Sequence, residues 1–411
     1  MHAGCHISPW KLNRMSRPLS ILVAFGGPSP EHEVSVLTGM QVMAALGDTP
    51  HTVTPLYVAK SGRWFTGEAF ADLATYKDVK AAESAGIECA FTFGANGKAR
   101  LQQTSKPGLF ASPKTWAVDV VIPAFHGSDG ENGAFQGVCE VYNLPFTSSG
   151  VTASAIGMDK RLAKAVCRAY GFPVVDDVSF REPEWATRQD ALLAQAEALG
   201  YPLFVKPTHL GSSIGVSRAN DRAALITAVE NAFRYDVSVL VEKAVTPLRE
   251  INCSILGSPD QAEASVCEQP VGSGDLLSFK DKYQSGDATK GMASADRLIP
   301  APISDDLTQK IRGIALGIFR AFGCSGVVRL DFLMNDSTGE VYFNEINTQP
   351  GSFSFYLWRH SGVTFTQLVQ RLVDVALEQH RIRNGRVRSY DTNLLSQKAA
   401  KGLKGLKGLK K

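Results

Sequence analysis

Seven cysteines are scattered through the 411 residues, odd in number and without a C-x-x-C pair. That speaks against a cysteine zinc site or a disulfide framework and fits a reducing, cytoplasmic setting. No apolar run approaches the roughly 18 residues that a membrane span needs, so no membrane partner is expected. Residues 1–18 lack the apolar segment of a signal peptide and read as a disordered extension, with Met15 as an alternative start. Net charge is only +3, so nothing global points to nucleic acid or to acidic partners. What is present, 44% hydrophobic and 20% charged residues, is the composition of a soluble globular chain. Its length suits two or three domains.

The chain's most informative stretch is Val327-Val-Arg-Leu-Asp-Phe-Leu-Met-Asn335, continued by Asp336-Ser-Thr-Gly339 and Glu340-Val-Tyr-Phe-Asn-Glu-Ile-Asn347. Two β-rich runs around a polar turn predict a hairpin. Residues two apart on a strand share a face, which groups Arg329 with Asp331 and Glu345 with Asn347. Two carboxylates and an amide oxygen are hard ligands suited to Mg²⁺, which borrows phosphate oxygens and water for the rest of its shell. The arginine suits an oxyanion or a phosphate. On spacing alone, the same face is equally that of an ordinary hairpin turned to water.

Upstream, Leu19-Ser-Ile-Leu-Val-Ala-Phe25 and residues 118–125 read as buried parallel strands. The first enters Gly26-Gly-Pro-Ser-Pro-Glu-His-Glu-Val-Ser35 and a helix, a place for a ligand at a helix N-terminus. This is not G-x-G-x-x-G, and Glu31 and Glu33 also fit plain first-turn acidic residues. The second ends in Phe125-His-Gly-Ser-Asp-Gly-Glu-Asn-Gly133, putting His126 and Glu131 at a strand's carboxyl end, where ligands gather. Residues 150–169 read as one helix with Asp159, Lys160 and Lys164 on a solvated face. Lys206 ends a strand before Gly211-Ser-Ser-Ile-Gly215, whose backbone N–H groups and hydroxyls can cover phosphates while the lysine supplies charge.

A strand at 237–245 turns into one opened by Glu250, a junction able to receive a flat base. Residues 272–294, with Lys280, Lys282, Tyr283 and Lys290, show little periodicity and read as a mobile lid or a surface loop. Amphipathic helices follow at 305–322 and 361–380. The remainder is polar and basic and closes on a Lys-Gly-Leu repeat, a poor helix former that reads as a disordered tail.

Taken in order, Gly26 to Ser35, Phe125 to Gly133, Met158-Asp-Lys160, Val205-Lys-Pro207 with Gly211 to Gly215, Lys282-Tyr283, Arg329-Leu-Asp331 and Asn344-Glu-Ile-Asn-Thr-Gln-Pro-Gly351 resemble the D-alanine–D-alanine ligases of the ATP-grasp superfamily. The resemblance covers residues 19–380. It implies an α/β fold, α+β in the ATP-grasp part, with a three-domain architecture and an N-terminal parallel-sheet domain. The expected limits are 19–150 for substrate binding, 151–245 for the central ATP-grasp subdomain and 246–380 for the catalytic one. A 1–18 extension and a 381–411 tail flank them.

By that resemblance ATP is a substrate, and two Mg²⁺ ions (or Mn²⁺) are held by Asp331, Glu345 and Asn347. Lys160, Lys206 and Lys282 face the phosphates, with Ser213 in the loop over them. Glu242, Lys243 and Val245 line the adenine site, and Glu250 holds the ribose. Glu31 pairs with the first D-alanine's ammonium group, and His126 lies near its carboxylate. Ser212 and Tyr283 join Glu31 to shut the lid, and Arg329 with the Gly351 N–H faces the oxyanion. One position departs from the pattern. Counting puts Tyr356 where the family commonly has a small hydroxyl residue for the second substrate's carboxylate, with Ser354 as a substitute. The resemblance further implies a homodimer acting on small molecules.

Overall fold

The computed structural model describes residues 17–107, 111–211, 213–271 and 297–389. Ser212, Lys282, Tyr283, the expected lid and most of both expected disordered ends lie outside the described residues.

The first apolar run forms the strand Ser20–Gly26, between parallel neighbours Thr52–Val58 and Val120–Pro123. Its side chains alternate between two cores, Ile21, Val23 and Phe25 entering one and Leu22 and Ala24 the other. Helix His32–Leu46 and the last helix, Phe365–Asn384, cover the first of these cores, where Leu368, Leu372 and Trp358 are buried. Among the described residues the sheet has seven strands, in the order Thr115–Ala117, Ala99–Gln103, Ile87–Phe93, Trp64–Thr66, Thr52–Val58, Ser20–Gly26, Val120–Pro123. The expected parallel pairing holds for the last three. The others pair antiparallel and are mostly short and half-exposed, too weakly patterned to read from sequence.

Two antiparallel sheets follow. The four-stranded one runs Ser217–Ala219, Leu203–Pro207, Ser238–Lys243, Asp177–Arg181 under helices Glu182–Glu197 and Arg222–Phe233. The five-stranded one runs Arg297–Leu298, Ala262–Pro270, Leu248–Gly257, Gly326–Asn335, Val341–Asn347. Helix Asp305–Phe322 covers it. Ser304 caps its start, accepting from Leu307 N–H at 3.3 Å, and Gly323, at φ +66°, ends it in the left-handed region open to glycine. Ile311, Ala315, Ile318, Phe319 and Phe322 fall on its buried stripe. Each large side chain there contributes about 1.5–3 kcal/mol by leaving water.

The single helix expected at 150–169 is two, Val151–Met158 and Lys160–Ala169. Asp159 is extended, and its carboxylate accepts the N–H groups of Arg161 and Leu162 at 3.0 Å, so it caps the second helix rather than joining the first. Nor is the lysine face solvated. Lys160 and Lys164 are both buried.

Candidate active site

The predicted hairpin forms with Arg329 opposite Asn347 and Asp331 opposite Glu345. Asn335 makes its turn, the side-chain oxygen accepting from Ser337 and Thr338 N–H groups at 3.0 and 3.1 Å. Arg329 is buried and donates from Nε and Nη2 to both oxygens of Asp331, each at 2.7 Å. Asn347 donates to the same carboxylate at 3.2 Å. All four line one cavity with Glu31, His126, Glu131, Lys160, Glu250 and Gly351. Residues from both ends of the chain thus meet at one surface.

Each wall has its own physical cause. Glu31 stands at the N-cap of helix His32–Leu46 yet makes no side-chain cap bond. Its carboxylate instead lies against Gly127, where an added Cβ would come within 2.8 Å of it. His126 is pinned through both ring nitrogens, Nδ1 to the Gln349 carbonyl at 2.9 Å and Nε2 to the Thr38 hydroxyl at 2.8 Å. Burial lowers its pKa, and the neutral ring donates from Nδ1 and accepts at Nε2. Glu131, half-buried, accepts from the Gly127 and Gln349 N–H groups at 3.0 and 3.2 Å. Burial, reinforced by the charge of Glu31, raises its pKa to about 7.

On the lysine side of the cavity, Lys160 donates to the Leu210 carbonyl and lies 3.6 Å from Glu345. Lys206, at the end of its strand, donates to Asn344 Oδ1 at 2.9 Å and pairs with Glu242. Ser213 lines the adjoining hollow with Lys206 and sits at φ +58°, an uncommon conformation for serine. Lys243 is exposed, and Val245 is half-buried in the turn toward Glu250. Tyr356 and Ser354 do not line the cavity. Both are buried, and the Tyr356 hydroxyl donates to Glu268 at 2.8 Å.

Sequence reasoning missed several groups. Lys164 is buried against Glu242 and lies 3.7 Å from Asp177. Its spacing of four from Lys160 on a helix was the available signal. Burial alone would raise the Glu242 pKa, but Lys164 and Lys206 outweigh it and bring it down to about 2. His209 also went unnoticed. Its Nδ1 lies 2.9 Å from Asp236 and its Nε2 3.4 Å from Asp159, and these two carboxylates raise its pKa to about 9. It ties the start of the 211–215 loop to the helix carrying Lys160. Asn252, on the strand that carries Glu250, and Glu268 and Arg297, on strands that no motif marked, also line the cavity.

Asp331, Glu345 and Asn347 offer the oxygen donors that Mg²⁺ or Mn²⁺ takes, on one side of one cavity. Among the described residues no cluster of three His, Cys, Asp or Glu makes a protein-only cage. Two carboxylates and an amide leave room for phosphate oxygens and water, the usual Mg²⁺ arrangement.

Two antiparallel sheets with lysines on one and an arginine–carboxylate ribbon on the other define the class as an ATP-dependent ligase of ATP-grasp architecture. Family models described as D-ala D-ala ligase N-terminus and C-terminus match residues 20–149 and 166–374, and the chain belongs to that family. It is similar to the D-alanine–D-alanine ligase of Thermosipho melanesiensis, 38% identical over 385 residues, covering 93% of this chain and 100% of the relative. The Bacillus pumilus D-alanine–D-alanine ligase is 36% identical over 369 residues, 88% of this chain and 97% of the relative. Among solved structures, the D-alanine–D-alanine ligase from Coxiella burnetii superposes with TM-score 0.74 at 29% identity, covering 90% of this chain and 96% of the other. The D-Ala:D-Ser ligase VanG from Enterococcus faecalis superposes with TM-score 0.72 at 28% identity, covering 88% and 100%. Among the described residues no helix is long and apolar enough to cross a membrane.

Proposed function

We propose that this chain joins two molecules of D-alanine at the expense of ATP, through an acyl phosphate, for peptidoglycan precursor synthesis. The observation that carries this reading is the convergence of Arg329, Gly351, Glu31, Lys160 and the Asp331–Glu345–Asn347 set on one cavity. A carboxylate is a poor electrophile, and transfer of the γ-phosphoryl group to the first D-alanine gives it a leaving group. Glu31 pairs with that substrate's ammonium group, while His126, fixed at both nitrogens, acts as wall beside its carboxylate. Lys160 and Lys206 offset the triphosphate charge that would repel the incoming carboxylate. Lys282, Ser212 and Tyr283 belong to the proposal on resemblance alone.

The Glu242 side chain is committed to two lysines, so the adenine base meets the backbone of 242–245 with Lys243 and Val245, and Glu250 takes the ribose. Mg²⁺, held by Asp331, Glu345 and Asn347, would supply charge neutralisation along the phosphates when bound. The amine of the second substrate attacks the acyl carbon, Arg329 and the Gly351 N–H stabilise the oxyanion, and phosphate departs. Two metal ions, a cytoplasmic setting and a homodimer complete the proposal.

Phosphate release with ATP and Mg²⁺ across a panel of D-amino acids and D-lactate tests it. D-Alanine is expected to support the fastest release, and silence with D-alanine would overturn the assignment. The likeness to VanG favours a second reading, a ligase joining D-alanine to D-serine, D-lactate or another amino acid, and the same panel distinguishes it. A nucleotide-binding protein without catalysis fits less well, because ligands and oxyanion arginine are all retained. Deleting residues 381–411 is expected to leave activity unchanged, which separates the basic tail from any nucleic-acid role.

A further inference from the structure

Away from the hairpin, the same sheet carries a charged group that the roles above do not use. Glu345 pairs in register with Asp331, Asp331 with Asn252, and Asn252 with Glu268. Directly paired residues project to one face, and all four line the cavity. With about 4.8 Å between strands, the row carries from the metal ligands to Glu268 over about 14 Å. Arg297, opposite Pro270 on the outermost strand, closes the row.

This far end is tightly built. Glu268 is 1% exposed and accepts from Arg297 Nη1 at 2.9 Å, from the Tyr356 hydroxyl at 2.8 Å and from Asn252 Nδ2 at 3.0 Å. The Arg297 guanidinium also lies over the Tyr356 ring, 4.1 Å from its centroid, a cation–π contact. Tyr356 therefore spends its hydroxyl proton on Glu268 and presents a ring, not a donor, to the arginine. Burial and the Glu268 charge keep that proton in place by pushing the tyrosine pKa up.

We propose that Arg297 receives the acceptor's carboxylate, with Glu268 and Tyr356 as positioning residues that hold its guanidinium against the cavity. This rests on the ligase reading above. The reacting acyl carbon belongs beside Arg329 and Gly351, and the acceptor's amine approaches it from the side opposite the phosphates. The carboxylate of an α-amino acid lies a few ångströms beyond its amine, toward the far end of the row. Left alone there, Glu268 would repel it; Arg297 cancels that charge and turns a guanidinium toward the corner. The family's small hydroxyl residue is replaced by a different device, a stacked arginine, which selects small acceptors bearing a carboxylate next to the nucleophile.

The test separates donor activation from acceptor capture. Hydroxylamine attacks the D-alanyl phosphate, releasing phosphate and forming D-alanyl hydroxamate without an acceptor amino acid. In Arg297→Met the KM for acceptor D-alanine is expected to rise roughly ten- to a hundredfold, the value of a lost charged hydrogen bond, with hydroxamate still formed. D-Alaninamide, an acceptor without the carboxylate, should gain on D-alanine by a similar factor. Arg297→Lys should recover part of the loss. Tyr356→Phe keeps the ring and removes the hydroxyl, so the acceptor KM should rise several-fold with kcat nearly unchanged. An unchanged acceptor KM in Arg297→Met, or an unchanged preference against D-alaninamide, overturns this inference alone. Absence of hydroxamate with the unaltered enzyme overturns the ligase reading and this inference with it.

Discussion

Two buried carboxylates in this protein are met by cations in opposite ways. Glu242 lies between Lys164 and Lys206, a carboxylate outnumbered two to one. Asp331 gives both oxygens to the single guanidinium of Arg329, a balanced pair with fixed planar geometry. Counting Asp177 and its partner Arg168, the first group still carries one surplus positive charge, which the proposed phosphate role uses. The second is neutral and sits at 8% and 9% exposure on the cavity face, where its members have other partners to meet in turn. In the proposed reaction, that surplus attracts the polyanion, and the balanced pair stores an arginine and a ligand carboxylate side by side until substrate separates their tasks.

Breaking the first group should have the largest effect. Glu242→Gln leaves Lys206 buried without its carboxylate and Lys164 with Asp177 alone, and is expected to cost about 3–5 kcal/mol of stability, read from denaturant midpoints. A loss well under 1 kcal/mol would mean that water already screens those lysines. Breaking the second should act on rate. Arg329→Ala is expected to fold, with kcat lower by about a hundred- to a thousandfold; near-normal turnover would remove its oxyanion role.

Glu345→Gln sharpens the contrast on the ribbon side. The Mg²⁺ concentration giving half-maximal phosphate release should rise by about tenfold or more, and an unmoved Mg²⁺ curve would cancel the ligand assignment. The smallest effect is expected at His209. Its pKa stands near 9 in the folded protein against an ordinary 6.5, because Asp159 and Asp236 favour the proton. That stabilisation is complete below about pH 6.5 and lost as pH rises toward 9. In His209→Asn the fall in melting temperature across this window should flatten. Glu131 works in another range. Its raised pKa makes ionisation unfavourable in the folded state, so its contribution declines from about pH 4.5 to 7. An identical slope in wild type and His209→Asn above pH 7 would show the His209 contacts to be inert.

The hairpin was legible because period-two spacing, a polar turn and hard oxygen ligands coincide within about twenty residues of chain. The buried strand Ser20–Gly26 was legible from its unbroken apolar run. Lys164 was misread because a lysine on a helix is solvated by default. The approach of Glu242, 78 positions away, with Asp177 beside it, makes its burial affordable. Tyr356 was misassigned by counting, since the count ignores where the side chain turns. Three successive residues, Ser352, Phe353 and Ser354, adopt φ near +50° and carry the chain away from the cavity after Gly351. No propensity announces such a turn.

The amino-acid order alone determined which short segments carry the acidic and amide side chains, the lysines and the arginine that the proposed reaction uses, because those depend on local spacing. It could not determine the row from Glu345 to Glu268, whose members come from four strands joined by register, nor the ion pair that sets Arg297 at its far end. Charge balance among buried groups was likewise decided in three dimensions. Desolvation and Coulomb attraction depend on distance through space, and chain separation does not encode it.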